Sequence, residues 1–207
     1  AHCNLGIALQ ALDRLEEAEA SLRQAIALQP DYAKAHNNLG HTLQELGRLH
    51  EAEASFTKAI ALKPDFYQAH YNLGNTLKEL DRYSEAEASY IQAIALKPDF
   101  ALAHSNLGIT LNELGRLAEA EASFTKAIAL KPDFAEAHYN VAVTLLELGR
   151  LDEAEASSTQ AIALKPDYAE AHQSLSFIFL NSGRLKKGLD KYEWRWKIAK
   201  DLSKYRH

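Results

Sequence analysis

The sequence contains no methionine and only one cysteine among its 207 residues. Because a native chain starts with methionine, we expect this one to be an excised or processed piece of a longer protein. A single thiol, at Cys3, cannot form an internal disulfide, which fits a reducing compartment. No apolar run approaches the ~18 residues that a membrane-spanning helix needs, and no secretory signal opens the chain. These absences predict a cytoplasmic location and no membrane partner.

The sequence also has no excess of positive charge. It carries 23 lysines and arginines against 28 aspartates and glutamates, for a formal net charge of -5. Nucleic acids and anionic membranes are bound mainly through basic surfaces, because counterion release requires them. The charge balance therefore predicts that neither is the main partner, while a hydrophobic content of 47% is typical of an ordinary folded protein.

Prolines are few, and their spacing is constant. Each of the five follows the previous one by 34 residues, and asparagine and histidine series keep the same step. The segments 45–66 and 113–134 differ only at His50, which is replaced by Ala118. The chain is therefore built from a duplicated unit. The three series are Pro30, Pro64, Pro98, Pro132 and Pro166; Asn4, Asn38, Asn72, Asn106 and Asn140; and His2, His36, His70, His104, His138 and His172.

Each unit is predicted to form two helices joined by a tight turn. Gly47 ends the first helix by supplying a left-handed residue, a role that Asp13 and Asp81 take in two other units. Pro64 ends the second helix, because proline cannot continue the hydrogen-bond ladder. An apolar stripe at spacings of four, four and three residues marks the first helix: Ala35, Leu39, Leu43 and Leu46.

The aspartates that precede the first helices are expected to cap them. Asp31 is the predicted N-cap of the second unit. The pairs Asp133–Glu136 and Asp167–Glu170 have the spacing of an Asp-led capping box. A single long coiled coil is excluded, because glycines and prolines interrupt every helix after about a dozen residues and no heptad survives them. Strands are not expected, because alternation of period two is absent.

This repeat pattern resembles that of the tetratricopeptide repeat (TPR) family. The family sets a large residue, then Leu-Gly, then an aromatic, then Ala, Phe, Ala and Pro within 34 positions. The third and fourth units fit in the same way, while the fifth has Val141, Ala142 and Ser158 at signature positions. The matching residues of the second unit are His36, Leu39, Gly40, Leu43, Ala52, Phe56, Ala59 and Pro64.

The resemblance implies an all-α TPR solenoid, a right-handed superhelix of stacked antiparallel helix pairs whose first helices line a concave groove. Its units are expected to stack, since no single hairpin can bury its apolar face. The predicted repeats are residues 1–32 (truncated at its start), 33–66, 67–100, 101–134 and 135–168, followed by a divergent sixth repeat with a C-terminal capping helix at 169–207.

The C-terminal segment departs from the pattern and permits two interpretations. Gly188 and Tyr192 stand at the usual alanine and aromatic positions, and the tryptophans Trp194 and Trp196 follow in a basic stretch. A cap over the last apolar face is one interpretation. The other is a junction to a missing domain, because the segment resembles those that close TPR arrays before glycosyltransferase-like domains in bacterial proteins. Both can hold.

The asparagine series supplies the candidate binding site. Each asparagine comes one residue before the position of the packed leucine, which is Val141 in the fifth unit. It is expected to face the groove, where its amide offers an acceptor and two donors to a peptide backbone. In O-linked N-acetylglucosamine transferases, whose TPR arm these units resemble, asparagines at this position hold peptide backbone. That role carries over to Asn4, Asn38, Asn72, Asn106 and Asn140, and it stops at Ser174. The family's geometry adds Asn37, His41, Tyr71, Asn75 and Tyr139 to the groove. The alternative is that the amides bond neighbouring repeats or water.

Other chemistries are not predicted. Equivalent histidines of stacked repeats should lie ~8–10 Å apart, too far for zinc ligands at ~2.0–2.1 Å. A clamp for a terminal carboxylate is disfavoured, because Lys34 and Lys78 are accompanied by glutamates such as Glu45 and Glu79. No phosphate loop or nucleophile with a dedicated base occurs. We therefore expect no metal, no cofactor and no catalytic residue.

The sequence thus predicts a non-catalytic protein–protein interaction scaffold that binds a protein or an extended peptide in its groove. Two alternatives stay open. One is the substrate-recognition arm of an O-GlcNAc-transferase-like glycosyltransferase whose catalytic domain lies outside this chain, and the other is a self-assembling scaffold. Leu5, Ile7 and Leu9 are expected to be exposed, which predicts end-to-end homo-oligomers or a missing upstream repeat.

Overall fold

Twelve helices account for the described part of the computed structural model, which comprises residues 1–192 and 194. No strand occurs in that part of the chain, and none of its helices is both long enough and apolar enough to cross a lipid bilayer. The helices are α1 His2–Ala11, α2 Leu15–Leu28, α3 Ala33–Glu45, α4 Leu49–Leu62, α5 Tyr67–Glu79, α6 Tyr83–Leu96, α7 Ala101–Glu113, α8 Leu117–Leu130, α9 Ala135–Glu147, α10 Leu151–Leu164, α11 Ala169–Asn181 and α12 Leu185–Tyr192.

Within each of two compact units, helices that follow one another in the chain pack in pairs, and neighbouring pairs contact each other. The chain divides into two compact units, Ala1–Thr110 and Leu111–His207. In the first unit α1 packs on α2, α3 on α4 and α5 on α6, while α2 contacts α3 and α4 contacts α5. In the second unit α9 packs on α10 and α11 on α12, while α8 contacts α9 and α10 contacts α11. The predicted all-α class of stacked antiparallel helix pairs is confirmed.

The turn inside each pair follows the prediction. Gly47 has φ 72°, and Asp13 and Asp81 adopt the same left-handed conformation at φ 57° and 58°. The amide of Gly47 donates to the carbonyl oxygen of Gln44 at 2.9 Å, and the amide of Arg48 donates to that of Leu43 at 2.8 Å. These bonds satisfy carbonyls that the end of α3 would otherwise leave unpaired.

The predicted aspartate caps are wrong. The N-cap of α3 is Tyr32, one residue after Asp31, and it makes no side-chain capping bond. The same holds at α9 and α11, whose N-caps are Phe134 and Tyr168, so neither of the predicted capping boxes forms. The backbone carbonyl of Tyr32 instead accepts from the amide of Ala35 at 2.9 Å. The aspartate thus lies one residue too early in the turn to reach the first helical amides.

Glycine allows the two helices of a repeat to approach closely. A Cβ atom added at Gly40 would lie 2.7 Å from Cε1 of Phe56, and one at Gly74 would lie equally close to Tyr90. Both aromatic rings are fully buried. Ala52, like the other alanines at its repeat position, is also fully buried. The small residues at these positions therefore let the two helices of a repeat pack closely around a buried aromatic ring.

Four of the arginines that follow a tight turn bond to a glutamate of the preceding repeat. Arg48 donates to Glu51 of its own repeat at 2.6 Å and to Glu19 of the preceding repeat at 2.8 Å. Arg82 does the same with Glu85 and Glu53 at 2.6 Å and 2.8 Å. In the second unit Arg150 and Arg184 make the equivalent bonds to Glu121 and Glu155, both at 2.6 Å. This bridging was not predicted from the sequence.

The histidine series has a structural role that also crosses a turn. Nε2 of His36 lies 2.9 Å from the carbonyl oxygen of Pro30, and the same bond recurs in the next repeats, as from His70 to Pro64. Because a carbonyl oxygen only accepts, Nε2 carries the hydrogen. Five of the six histidines of the series therefore connect a first helix to the turn before it. Among the described residues, no group of three or more potential ligands could hold a metal.

The two ends of the described chain differ. At the N-terminal end Leu5 and Ile7 are exposed as expected, whereas Leu9 is buried, which corrects the prediction for that residue.

At the C-terminal end of the described residues the ring of Trp194 stacks on that of His172, with 3.7 Å between centroids. The remaining predicted basic segment, including Trp196, lies outside the described residues.

Candidate peptide-binding surface

Two neighbouring pockets lie along α3 and α5 in the first unit. The first, which we call the acidic pocket, is near the C-terminal ends of both helices and has a volume of about 460 Å³. It brings together four of the predicted site residues, namely His41, Tyr71, Asn72 and Asn75. Its full lining is His41, Gln44, Glu45, Tyr71, Asn72, Asn75 and Glu79.

The second pocket, which we call the basic pocket, lies at the N-terminal ends of the same helices and measures about 690 Å³. It contains the predicted Asn37 and Asn38 together with residues of the turn after α4 that were not predicted from the sequence. The recurring Lys-Pro-Asp-aromatic motif marks that turn in the sequence, but it predicted only the end of a helix and not a pocket. The lining is Tyr32, Ala33, Lys34, Asn37, Asn38, Lys63, Asp65, Phe66, Tyr67 and Gln68.

Three of the five predicted asparagines bond to the preceding repeat. Nδ2 of Asn72 donates to Oδ1 of Asn37 at 3.1 Å. Nδ2 of Asn106 donates to the hydroxyl of Tyr71 at 3.1 Å, and Nδ2 of Asn38 donates to the sulfur of Cys3 at 3.6 Å. In each case the acceptor lies 35 residues earlier in the chain. The repeat-linking alternative therefore describes part of what these amides do.

The amide of Asn72 is nevertheless only partly used. Within the described part of the chain, no donor lies within hydrogen-bonding distance of its Oδ1, and only one of its two N–H groups is engaged. Asn72 is half-buried and lines the acidic pocket. It can therefore hold its repeat neighbour and still offer a donor and an acceptor to a ligand.

A buried tyrosine fixes the neighbouring amide. The hydroxyl of Tyr90 donates to Oδ1 of Asn75 at 2.8 Å, and Nδ2 of Asn106 donates to the same oxygen at 2.8 Å. Burial raises the pKa of Tyr90, so its hydroxyl stays protonated as a donor. The ring of Tyr71 packs 4.8 Å from that of Phe100. The side chains at the floor of the acidic pocket are thus held by several contacts each.

The charges of the two pockets are opposite. In the acidic pocket Glu45 lies 3.5 Å from Nδ1 of His41, and Glu79 accepts from the amide of Gln44 at 2.5 Å. Among the described residues, no lysine or arginine nitrogen lies within ion-pair distance of either carboxylate, and no carboxylate is that close to Lys34 or Lys63 of the basic pocket. Nζ of Lys63 lies 5.4 Å from the centre of the Phe66 ring, a contact that leaves its charge without an ion-pair partner in the described part of the chain.

The second unit places its predicted site residues in more apolar surroundings. The ring of Tyr139 packs 5.1 Å from that of Tyr168, and burial raises the pKa of Tyr139. The positions equivalent to His41 and Asn75 hold Val143 and Phe177, and Phe177 is exposed. Asn140 is half-buried on α9, and Asn4 in the first unit is exposed on α1. The structure thus brings six predicted residues to two pockets and leaves these others apart from them.

Comparisons with known proteins give the same architecture. Three family models, each described as tetratricopeptide repeat, match residues 1–65, 71–133 and 111–157. A search of curated protein sequences finds no match. PilF of Pseudomonas aeruginosa superposes with a TM-score of 0.85 at 21% identity, covering 96% of this chain and 90% of that one.

Two further solved structures are similar. YrrB, described as a TPR protein with an unusual peptide-binding site, has a TM-score of 0.71 at 23% identity and covers 87% of this chain and 93% of its own. A thermophilic TPR protein of Thermus thermophilus has a TM-score of 0.67 at 26% identity, with 86% and 97% covered. The period, the helix pairs and these matches agree: the chain belongs to the tetratricopeptide repeat family.

Proposed function

We propose that the chain is a protein-interaction scaffold that binds an extended segment of a partner protein along α3 and α5. The observation that carries this proposal is the acidic pocket, in which His41, Tyr71, Asn72 and Asn75 converge from two neighbouring repeats. Repeats of this family generally serve as protein-interaction scaffolds, and this pocket supplies a location for that activity. We place the function in the cytoplasm.

The chemistry of the pocket suits a polypeptide. A peptide backbone presents donors and acceptors in alternation, and the amide of Asn72 offers one of each. Tyr71 adds an aromatic surface against which a side chain can pack. Volumes of about 460 and 690 Å³ are in the range of pockets that enclose organic groups of side-chain size or larger. Such binding requires no catalytic residue.

The experiment uses a library of randomised peptides of roughly 12 residues displayed on phage, panned against the whole chain. Selected peptides are then titrated into the isotopically labelled protein, and the perturbed backbone amides are mapped by NMR. We expect perturbations on α3 and α5 at the two pockets. The variant His41→Trp, which fills the acidic pocket, should weaken binding at least tenfold.

The matched control is Thr57→Trp, because Thr57 is exposed on α4 and lines neither pocket. It should leave binding unchanged. A library that yields no binding peptide, or peptides whose perturbations map to α4 and α6 alone, would contradict the proposed function. The self-assembly alternative would then gain support.

A further inference from the structure

The two pockets differ in the sign of the charge that lines them, although they share α3 and α5. The basic pocket has Lys34 from α3 and Lys63 from the turn after α4, against the single carboxylate of Asp65. Nζ of Lys97 adds a third cation nearby, 5.0 Å from the ring of Tyr67. This end of the surface therefore favours an anionic group.

The acidic pocket has the opposite preference. Glu45 and Glu79 line it, and Lys78, which neighbours Glu79 in the chain, is not among its lining residues. The ring of Tyr71 forms part of the same wall. A lysine or arginine side chain in this pocket gains the attraction of two carboxylates and of an aromatic face.

The helix dipoles have the same polarity as the side chains. Both α3 and α5 begin at the basic pocket and end at the acidic pocket. The N-terminal end of a helix carries about half a positive charge and the C-terminal end about half a negative charge. Backbone and side chains thus favour an anion at one end and a cation at the other.

The distance between the basic pocket and the acidic pocket determines how far apart the two charged side chains of a ligand must be. Lys34 and Glu45 lie eleven positions apart on α3, which corresponds to about 16 Å at ~1.5 Å per helical residue. An extended peptide advances ~3.3 Å per residue. About five residues of an extended chain therefore span from one pocket to the other.

We propose that the partner segment carries an acidic and a basic side chain about five residues apart. The carboxylate occupies the basic pocket beside Lys34 and Lys63, and the cation occupies the acidic pocket between Glu45 and Glu79. This inference rests on the proposed function and specifies its partner class. An internal acidic side chain, and not a terminal carboxylate, is the anion, because the surface continues from this pocket along both helices.

The test uses the same displayed library, with peptides resynthesised with acetylated and amidated ends so that no terminal charge remains. Wild-type selections should be enriched in peptides with the acid–base pair at a spacing of four to six residues. Lys34→Glu/Lys63→Glu should lose the acidic preference and keep the basic one, weakening binding of the selected peptides about tenfold. Glu45→Lys/Glu79→Lys should lose the basic preference instead.

Lys58→Glu/Lys126→Glu is the matched control, because both lysines are exposed and neither lines one of the two pockets. It lowers the net charge by the same amount as Lys34→Glu/Lys63→Glu and should not alter which peptides are selected. Peptides that bind at the two pockets without this charge pair, or whose binding both charge reversals leave intact, would overturn the inference but not the proposed function. Failure to select any peptide would contradict the proposed function itself.

Discussion

Asn72 donates its side-chain amide to Oδ1 of Asn37, 3.1 Å away and 35 residues earlier in the chain. The bond joins α5 to α3, and its two partners line different pockets of the same surface. The residues proposed to contact a ligand are therefore also residues that join one repeat to the next. Removing such a side chain changes both stability and binding, so a useful experiment must separate the two.

Asn72→Asp tests the structural part of this relationship. The substitution removes the donor and places a carboxylate oxygen against Oδ1 of Asn37, which is 8% exposed. A buried acceptor left without its donor costs about 1–3 kcal/mol of the free energy of unfolding. Urea unfolding followed by circular dichroism measures that loss. Asn4→Asp, at the equivalent but exposed position, should change stability by less than ~0.5 kcal/mol, and equal effects at the two positions would refute the role given to the bond.

The close approach of the helices within a repeat leads to a second prediction. Gly40→Ala places a Cβ atom 2.7 Å from the ring of Phe56, so the ring or the backbone must move. Overpacking of this kind costs about 1–3 kcal/mol. The double variant Gly40→Ala/Phe56→Leu makes room for the methyl group, and thermal unfolding should show that it recovers part of the loss. No recovery would mean that the glycine is required for another reason.

Much of this packing was predictable from the sequence, whereas the contacts between repeats were not. The constant spacing of Pro30 and its equivalents defines the units, and Gly40 with Phe56 indicates close helices. The partner of Asn72 could not be predicted, because it lies in another repeat and depends on how the units stack. Lys63 was not predicted as a pocket residue for a similar reason. It lies in the turn after α4, and it lines the basic pocket together with the N-terminal ends of α3 and α5 only because the repeats stack.

The arginine bridges give stability a defined dependence on pH. The side-chain hydrogen bond from Arg48 lowers the pKa of Glu51 from its ordinary value of 4.5, and Arg82 does the same for Glu85. A carboxyl whose pKa is lower in the folded state stabilises the fold above the unfolded pKa, and that contribution is lost as the pH falls through the folded value. Stability should therefore decrease below about pH 4.5.

Urea unfolding at a series of pH values measures this effect. Arg48→Met should flatten the decrease relative to wild type, because Glu51 then loses its partner. Added salt should weaken the decrease as well, since the side chains of Arg48 and Glu51 are 36% and 53% exposed. The control Lys58→Met removes an exposed cation that forms no ion pair with a carboxylate among the described residues, and it should leave the dependence of stability on pH nearly unchanged. If the free energy of unfolding decreased equally with falling pH in wild type and in Arg48→Met, the ion pair between Arg48 and Glu51 would not contribute to the pH dependence.

Exposed leucines on the first helix pair test whether copies of the chain associate. Leu5 on α1 and Leu12, the residue directly after α1, are 52% and 65% exposed. Apolar surface of this kind favours association. We expect sedimentation velocity to show a mass that rises with protein concentration, and Leu5→Glu/Leu12→Glu to remain monomeric. Ile91→Glu, which changes an equally exposed apolar residue of α6, should associate like wild type. A wild-type chain that stays monomeric at the highest soluble concentration would end the self-assembly hypothesis and leave peptide binding as the remaining role for the scaffold.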